Sequence, residues 1–419
     1  MENLKALLKD QNFKDLLRYI KHGLLVTVCL VLLKIYIEHL PIGHKLELLA
    51  GELLQDQLSA VDEDKLPVVV VDISKMRGGK AGEATPRDQL KALTEAIARE
   101  HPRAIAIDID FSPDGQGWIV DDDDQFFDHC LWLKKMRGVP IFLGVHRTMA
   151  EPAYVWLGAE EYQGLAVALI AYPDTTRLPL WMQVKGETRL PTLSTALAEA
   201  YRGGRLPEPP KLIRWAIETR TERHADTDYS SGPQLIMANA LVNYSKLEAI
   251  KLSTLPIISP ESIAESGRLF KDKMVIIGDV DKATERYNVI GREETVPGVY
   301  LHACAAYTLV KEPLYELNQW VRIFLDFLIS GLLIGSVAWF RYRHHQDHHS
   351  QEWRNRRAKF ICWAVPIILL VGLSMVRLLG ILWLDFILVV FALLLHPGAE
   401  TRLESFWKKE GEQEAGAVD

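Results

Sequence analysis

Cysteine is scarce, at four residues in a chain of 419, too few for a disulfide scaffold or a structural zinc array. Neither sign of charge dominates: 48 basic against 55 acidic side chains leave a net charge of −7, which excludes a nucleic-acid binder working by bulk charge. The sequence holds no GxSxG, no P-loop, no HExxH and no cysteine–histidine arrangement with nucleophile spacing. Catalysis therefore has no positive motif, and the expectation is a non-enzyme without a cofactor. Internal repeats are absent, and the one biased run is basic and histidine-rich. What remains is 48% apolar and 25% charged residues, averages that fit an ordinary globular protein of two or three domains.

The apolar residues are not evenly spread. They concentrate from Gly23 to Ile37, Val321 to Phe340, Phe360 to Val376 and Leu378 to Leu395. A helix of roughly 20 residues crosses about 30 Å of hydrocarbon, and tilt with snorkelling flanks accommodates shorter runs. No small-residue cleavage site follows the first run, so it reads as an uncleaved anchor rather than a signal peptide. Lys5, Lys9, Lys14, Arg18 and Lys21 precede it, and Arg341, Arg343, Arg354, Arg356, Arg357 and Lys359 lie between the second and third. Basic flanks face the cytoplasm. The expected organisation is a cytoplasmic segment at 1–18, spans at 19–40, 320–340, 359–377 and 378–396, a basic loop at 341–358 and a cytoplasmic tail at 397–419. Residues 41–319 form one extracytoplasmic domain.

Periodicity within that domain reads α/β. Pro67–Ile73 is a buried strand, Asp88–Glu100 places Leu90, Leu93 and Ile97 on one helical face, and Ala104–Phe111 is the next strand. A crossover of this kind gives a parallel pair. Ile141–Val145 and Met274–Gly278 read as further strands, and Gln125–Met136 and Val299–Val310 as covering helices. Gly203–Pro210 and Thr219–Pro233 are loop-like by composition. The expected fold class is a mostly parallel or mixed sheet with covering helices, plus four transmembrane helices.

Parallel strands end at a ligand crevice, and Asp72, Asp108, Asp110 and Asp279 all stand at or near strand ends. They either converge on a divalent cation or cationic ligand, with Arg87 as counter-charge, or cap turns and following helices. The metal content is left unknown. Asp121–Asp124 reads as a solvated helix N-terminus rather than a calcium loop, lacking that loop's glycine-punctuated spacing. His302 is either a titratable switch near neutral pH or a packed, hydrogen-bonded histidine. Cys130 and Cys304 form one disulfide or remain free buried thiols. The run His344–His349 has a metal-binding composition, with a solvated basic loop at a lipid face as the blander reading.

Gly331 and Gly335 form a GxxxG in the second apolar run, letting two backbones approach closely, within the chain or in a homodimer. Ionisable residues in apolar runs are costly. Lys34 or Arg322 is expected to pair with Asp326 or Asp385, and Arg322 and Asp326 stand one helical turn apart.

The order VVVVDIS (68–74), TPRDQL (85–90), HPRAIAIDIDFSPDGQ (101–116) and PIFLGVHR (140–147) carries a resemblance. It continues through LVNYS (241–245), LPIISPESI (255–263), FKDKMVIIGDV (270–280) and TVPGVYLHACAAYTLV (295–310). Set between an N-terminal anchor and a C-terminal membrane cluster, these segments resemble the type-2 CHASE sensor domain. That family is an extracytoplasmic sensory module of bacterial kinases, cyclases and related receptors. The sequence departs from it in lacking a Trp-Pro pattern before Arg87 and a kinase or cyclase after the spans.

The resemblance implies a multi-pass protein of a bacterial inner membrane with both termini cytoplasmic. Its domain would bind a small ligand or partner and pass the signal to a separate output protein encoded nearby. The lipid bilayer is the other expected partner, and nucleic acid is not one. The alternatives are a scaffold or accessory subunit of a membrane complex, an extracytoplasmic metal-dependent hydrolase, and, more weakly, a channel.

Overall fold

A computed structural model describes residues 66–76, 85–111, 123–145, 164–168, 175–183, 189–204, 220–223, 234–257, 269–282, 285–289, 292–311 and 314–343, with runs of one to three residues elsewhere. The chain divides into two compact units, Leu48–Glu316 on one hand and Met1–Glu47 with Leu317–Asp419 on the other.

The first half of the larger unit runs β1 (Val68–Asp72), α1 (Arg87–Arg99), β2 (Ala104–Ile107), α2 (Asp123–Arg137), β3 (Ile141–Val145), β4 (Ala166–Ala168), β5 (Arg177–Gln183) and β6 (Arg189–Pro191). It continues through α3 (Leu193–Arg202), β7 (Arg220–Arg223), β8 (Gln234–Leu241), α4 (Leu247–Leu252), β9 (Leu255–Pro256), β10 (Met274–Gly278), β11 (Arg286–Tyr287), β12 (Val296–Pro297), α5 (Gly298–Lys311) and β13 (Leu314–Glu316).

Four successive valines make β1 an interior strand. Val68 and Val70 face one core and Val69 and Val71 the other, the two-sided burial that parallel sheets require. The parallel sheet has six strands in the order β4-β3-β2-β10-β1-β9. The crossover through α1 does not place β1 beside β2, as the strand–helix–strand pattern predicts. Instead β10, about 200 residues further along the chain than β1, enters between them and pairs with both. Sequence adjacency, the basis of the expectation, cannot foresee a late strand that completes the middle of the sheet.

One face is covered by α1 and α2. Leu90, Leu93 and Ile97 of α1 and Phe126, Phe127, Cys130 and Leu133 of α2 are buried there with Val69, Ile105, Ile141 and Ile277. Removing a Leu or Ile side chain of this kind from water contributes about 1.5–3 kcal/mol. The other face carries α3, α4 and α5. Every residue of α5 from Gly298 to Val310 is buried, so it is an interior helix rather than an amphipathic cover.

A second, antiparallel sheet completes that side. One edge of β8 pairs with β5, and the other with β7 and then β13. β7 falls inside Thr219–Pro233, so that segment is not all loop. Its polar RTER sequence hides a strand from a search for apolar alternation, because the pairing rather than the side chains holds it. Cys130 belongs to one core and Cys304 to the other. The parallel sheet separates them, and both are free thiols; the disulfide alternative is thereby overturned.

In the smaller unit, α6 (Gln319–Arg343) is 25 residues long. Among the described residues, no helix is long and apolar enough to cross a membrane. The stretches at 19–40, 359–377 and 378–396 lie outside the described residues apart from helical runs of one to three residues in the first two and a two-residue strand, Ile381–Leu382, in the last, and the side chains of α6 are described only in part. Lys34 and Asp385 also fall outside, as does the histidine-rich run. Within α6, Asp326 is 3% exposed and Arg322 half-buried.

Candidate functional site

The carboxyl ends of β1, β10 and β2 form one row. Asp72 is in register with Gly278, and the Asp108 amide donates to the Ile277 carbonyl at 2.7 Å, so Asp108 flanks Gly278 on the other side. Neighbouring strands are about 4.8 Å apart, which separates the Asp72 and Asp108 backbones by roughly twice that. Strand alternation turns all three positions toward α5.

Gly278 lets α5 come close. A Cβ there would stand 2.9 Å from Val299 Cγ2 and 3.1 Å from Asp108 Cβ, shorter than side chains tolerate. The first turn of α5 therefore lies against the bare backbone of β10.

The strand-end acids meet different fates. Asp72 is a turn former: its Oδ1 accepts from the Ser74 amide at 2.9 Å and the Val280 amide at 3.4 Å, and Oδ2 accepts from Ser74 Oγ at 3.0 Å. Asp279 accepts from the Asp281 amide at 2.8 Å, again a local turn. Asp110 lies half-buried beyond β2.

Asp108 instead faces His302, with Oδ1 3.9 Å from Nε2 and side-chain exposures of 9% and 4%. Burial pushes the Asp108 carboxyl up to about 7, helped by Glu285 and Asp279 and opposed by Lys282. Burial likewise pushes the His302 imidazole down to about 4. Both shifts disfavour charge, so near neutral pH the contact is not a salt bridge. It joins a neutral imidazole to an acid that gives up its proton near pH 7. Tyr300, two residues earlier on the same helix, has its hydroxyl raised by burial, against a hydrogen bond with Thr254 that lowers it and repulsion from Asp72, Asp281 and Glu248 that adds to the rise.

Arg87 does not join this row. It is 6% exposed, pairs through Nε with Asp123 Oδ1, donates to the Thr85 carbonyl at 3.2 Å and lies 4.6 Å over the Phe111 ring. Its partner Asp123 is 4% exposed, whereas Asp124 and Asp128 are exposed, so among the described acids at the start of α2 Asp123 alone departs from the solvated terminus expected there. The counter-charge drawn to Arg87 comes from across the α1–α2 packing, a distance in space that residue spacing does not encode.

Among the described residues, no group of three or more His, Cys, Asp or Glu is arranged to hold a metal ion. Sequence reasoning missed Gly278, Lys282 and Glu285; only the GDV that closes β10 hinted at a tight strand end.

At the far end of α5, Arg202 donates to the Val310 carbonyl at 2.8 Å, a cation at a helix C-terminus. Thr308 accepts from the Asn243 amide at 2.8 Å. Just beyond, Glu316 of β13 pairs with Arg177 of β5 at 2.7 Å, each about nine-tenths buried. One helix thus runs from the acid row to the chain's exit from the domain.

The chain matches no curated protein and no solved structure. A family model, the CHASE2 domain, matches residues 25–337, three-quarters of the sequence. That span holds both sheets, the acid row and the start of α6, and the chain therefore belongs to the CHASE2 family of sensory domains.

Proposed function

We propose that this protein is a membrane-bound signal-input receptor. Its α/β domain lies outside the cytoplasm, binds a small ligand or partner there, and moves rather than catalyses. The observation that carries the reading is the path of α5, which starts against the strand-end row and leads through β13 into α6. On α6, Trp320, Phe324, Leu328 and Leu332 are 47% exposed or more and recur every four residues, an apolar stripe of the kind lipid covers. The helical positions Leu25, Val28, Leu32 and Tyr36 are exposed too.

In this reading the four apolar runs cross a bacterial inner membrane with both termini cytoplasmic, and the domain at 41–319 is periplasmic. A ligand with different affinity for two arrangements of α5 would shift their populations, and a separate signalling protein would receive the change. Lys34 or Arg322 pairs with Asp326 or Asp385 near the outer membrane surface, and α6 supports a homodimer through Gly331 and Gly335. Reporter fusions test the topology: a periplasm-dependent phosphatase joined after Glu316 is active, and one joined after Asp419 is not. Activity at Asp419 with silence at Glu316 overturns the arrangement.

One observation favours an accessory subunit that senses nothing. Asp72 and Asp279 are satisfied by the chain's own amides, and Val299 already occupies the face of Gly278. Affinity capture of the full chain from membranes separates the two readings. A partner whose association changes with conditions outside the cell marks a sensor, and one held invariantly marks a scaffold.

A further inference from the structure

We propose that the signal read by this domain is the proton concentration on its own side of the membrane, taken up at the Asp108–His302 contact and relayed along α5. The proposal rests on the sensor reading and names its ligand. The geometry sets Asp108 apart from its neighbours in the row. Asp72 accepts from two amides and the Ser74 hydroxyl, and Asp279 accepts from the Asp281 amide, whereas the Asp108 carboxylate meets an imidazole at 3.9 Å within a nearly closed interior. A buried carboxyl without such donors keeps its proton far above the usual carboxylate range, and its ionisation near pH 7 agrees with this.

The groups facing the contact decide what ionisation does. Asp279 and Glu285, beyond β10, repel an anion at Asp108, while Lys282 attracts it. Asp72 closes β1 on the other side of Gly278. Glu248 and Lys251 of α4, with Arg292, act further along α5 on Cys304, and Glu199 and Arg202 of α3 belong to the C-terminal turn of that helix. Two acids against one lysine leave the new anion short of compensation.

Hydration or displacement of the first turn of α5 relieves the charge. Val299 rests against Gly278 with no slack, so water enters only if the helix shifts. Nine residues separate His302 from Lys311, about 14 Å of helix, so a shift at the acid row reaches the Arg202 cap and the Glu316–Arg177 pair at the exit. Protonated, the domain is closed; ionised, it is loosened.

The test is hydrogen exchange of the full chain in phosphatidylethanolamine–phosphatidylglycerol nanodiscs from pH 5.5 to 8.5, corrected for intrinsic exchange rates. Protection of amides 298–304 falls at least tenfold between pH 6 and pH 8 in the wild type and stays flat in Asp108→Asn. His302→Gln, which adds a donor to the carboxylate, moves the midpoint to lower pH. A flat wild-type profile, an Asp108→Asn variant with the wild-type transition, or an unmoved His302→Gln midpoint overturns the proposal. Should Asp108→Asn not fold, infrared spectroscopy of the wild type decides: a protonated carboxyl band at pH 6 that vanishes by pH 8 supports it, and its absence at pH 6 overturns it. Failure here leaves the topology and capture tests of the sensor reading untouched. A pH-responsive α5 with a partner indifferent to pH refutes the relay instead.

Discussion

Burial keeps both Asp108 and His302 neutral over a pH range in which each is charged in the unfolded chain. Between pH 3.8 and about 7 the folded acid binds more protons than the unfolded one, so its contribution to stability falls as pH rises. From about 4 to 6.5 the unfolded imidazole binds more protons than the folded one, so its contribution grows as pH rises. Across their shared window the two slopes cancel. Single substitutions uncover them: Asp108→Asn gains stability from pH 4.5 to 6, and His302→Gln loses it over the same range. Denaturant unfolding at stepped pH reads both signs, and parallel slopes in the two variants contradict the assignment. A second residue pair gives a prediction of magnitude. Arg87→Ala strands Asp123 in the interior and costs about 3–5 kcal/mol, whereas replacing both partners by apolar residues of similar volume restores most of that loss. Urea midpoints of the single and double variants measure the difference.

The elements that position the site depend on where backbone meets backbone. Gly278→Ala forces Val299 and Asp108 apart and destabilises the domain by about 1–3 kcal/mol, and a companion Val299→Ala recovers part of it. Non-additivity in the double-mutant cycle is the measurement. These elements were legible in the sequence to different degrees. The continuous apolar runs of β1, β3 and β10 and the leucine period of α1 announce themselves, because such runs and 3.6-residue spacing are local signals. The strand-end acids were legible for the same reason, since a carboxylate closing an apolar run marks the edge of a sheet. Which of them is buried beside His302 was not legible. That depends on β10 entering between β1 and β2 and on α5 settling over Gly278, both set by contacts between residues distant in sequence. The Arg87–Asp123 pair escaped notice for the same physical reason, and strand β7 because its polar sequence carries no apolar alternation.

At the scale of the molecule, α6 carries two surfaces that should respond separately to substitution. Gly331 and Gly335 are exposed, and a Cβ at either meets nothing within 4 Å, so Gly331→Ile with Gly335→Ile leaves the fold of the chain intact. The double substitution lowers self-association in lipid by an order of magnitude or more, as bulky side chains hold two backbones apart. Energy transfer between labelled copies in vesicles reads it, and unchanged transfer places the contact elsewhere. The CHASE2 match ends within this helix, which therefore stands at the C-terminal border of the matched region.

The late entry of β10 also governs how the chain comes to be folded. Until residues 274–278 arrive, β1 and β2 each present an apolar strand edge with no partner between them, and closing the sheet spans some 200 residues of intervening chain. Contacts so distant in sequence form slowly, because loop closure precedes their reward. A chain made from its N-terminus onward therefore reaches about two-thirds of its length before the sheet begun by β1 can shut.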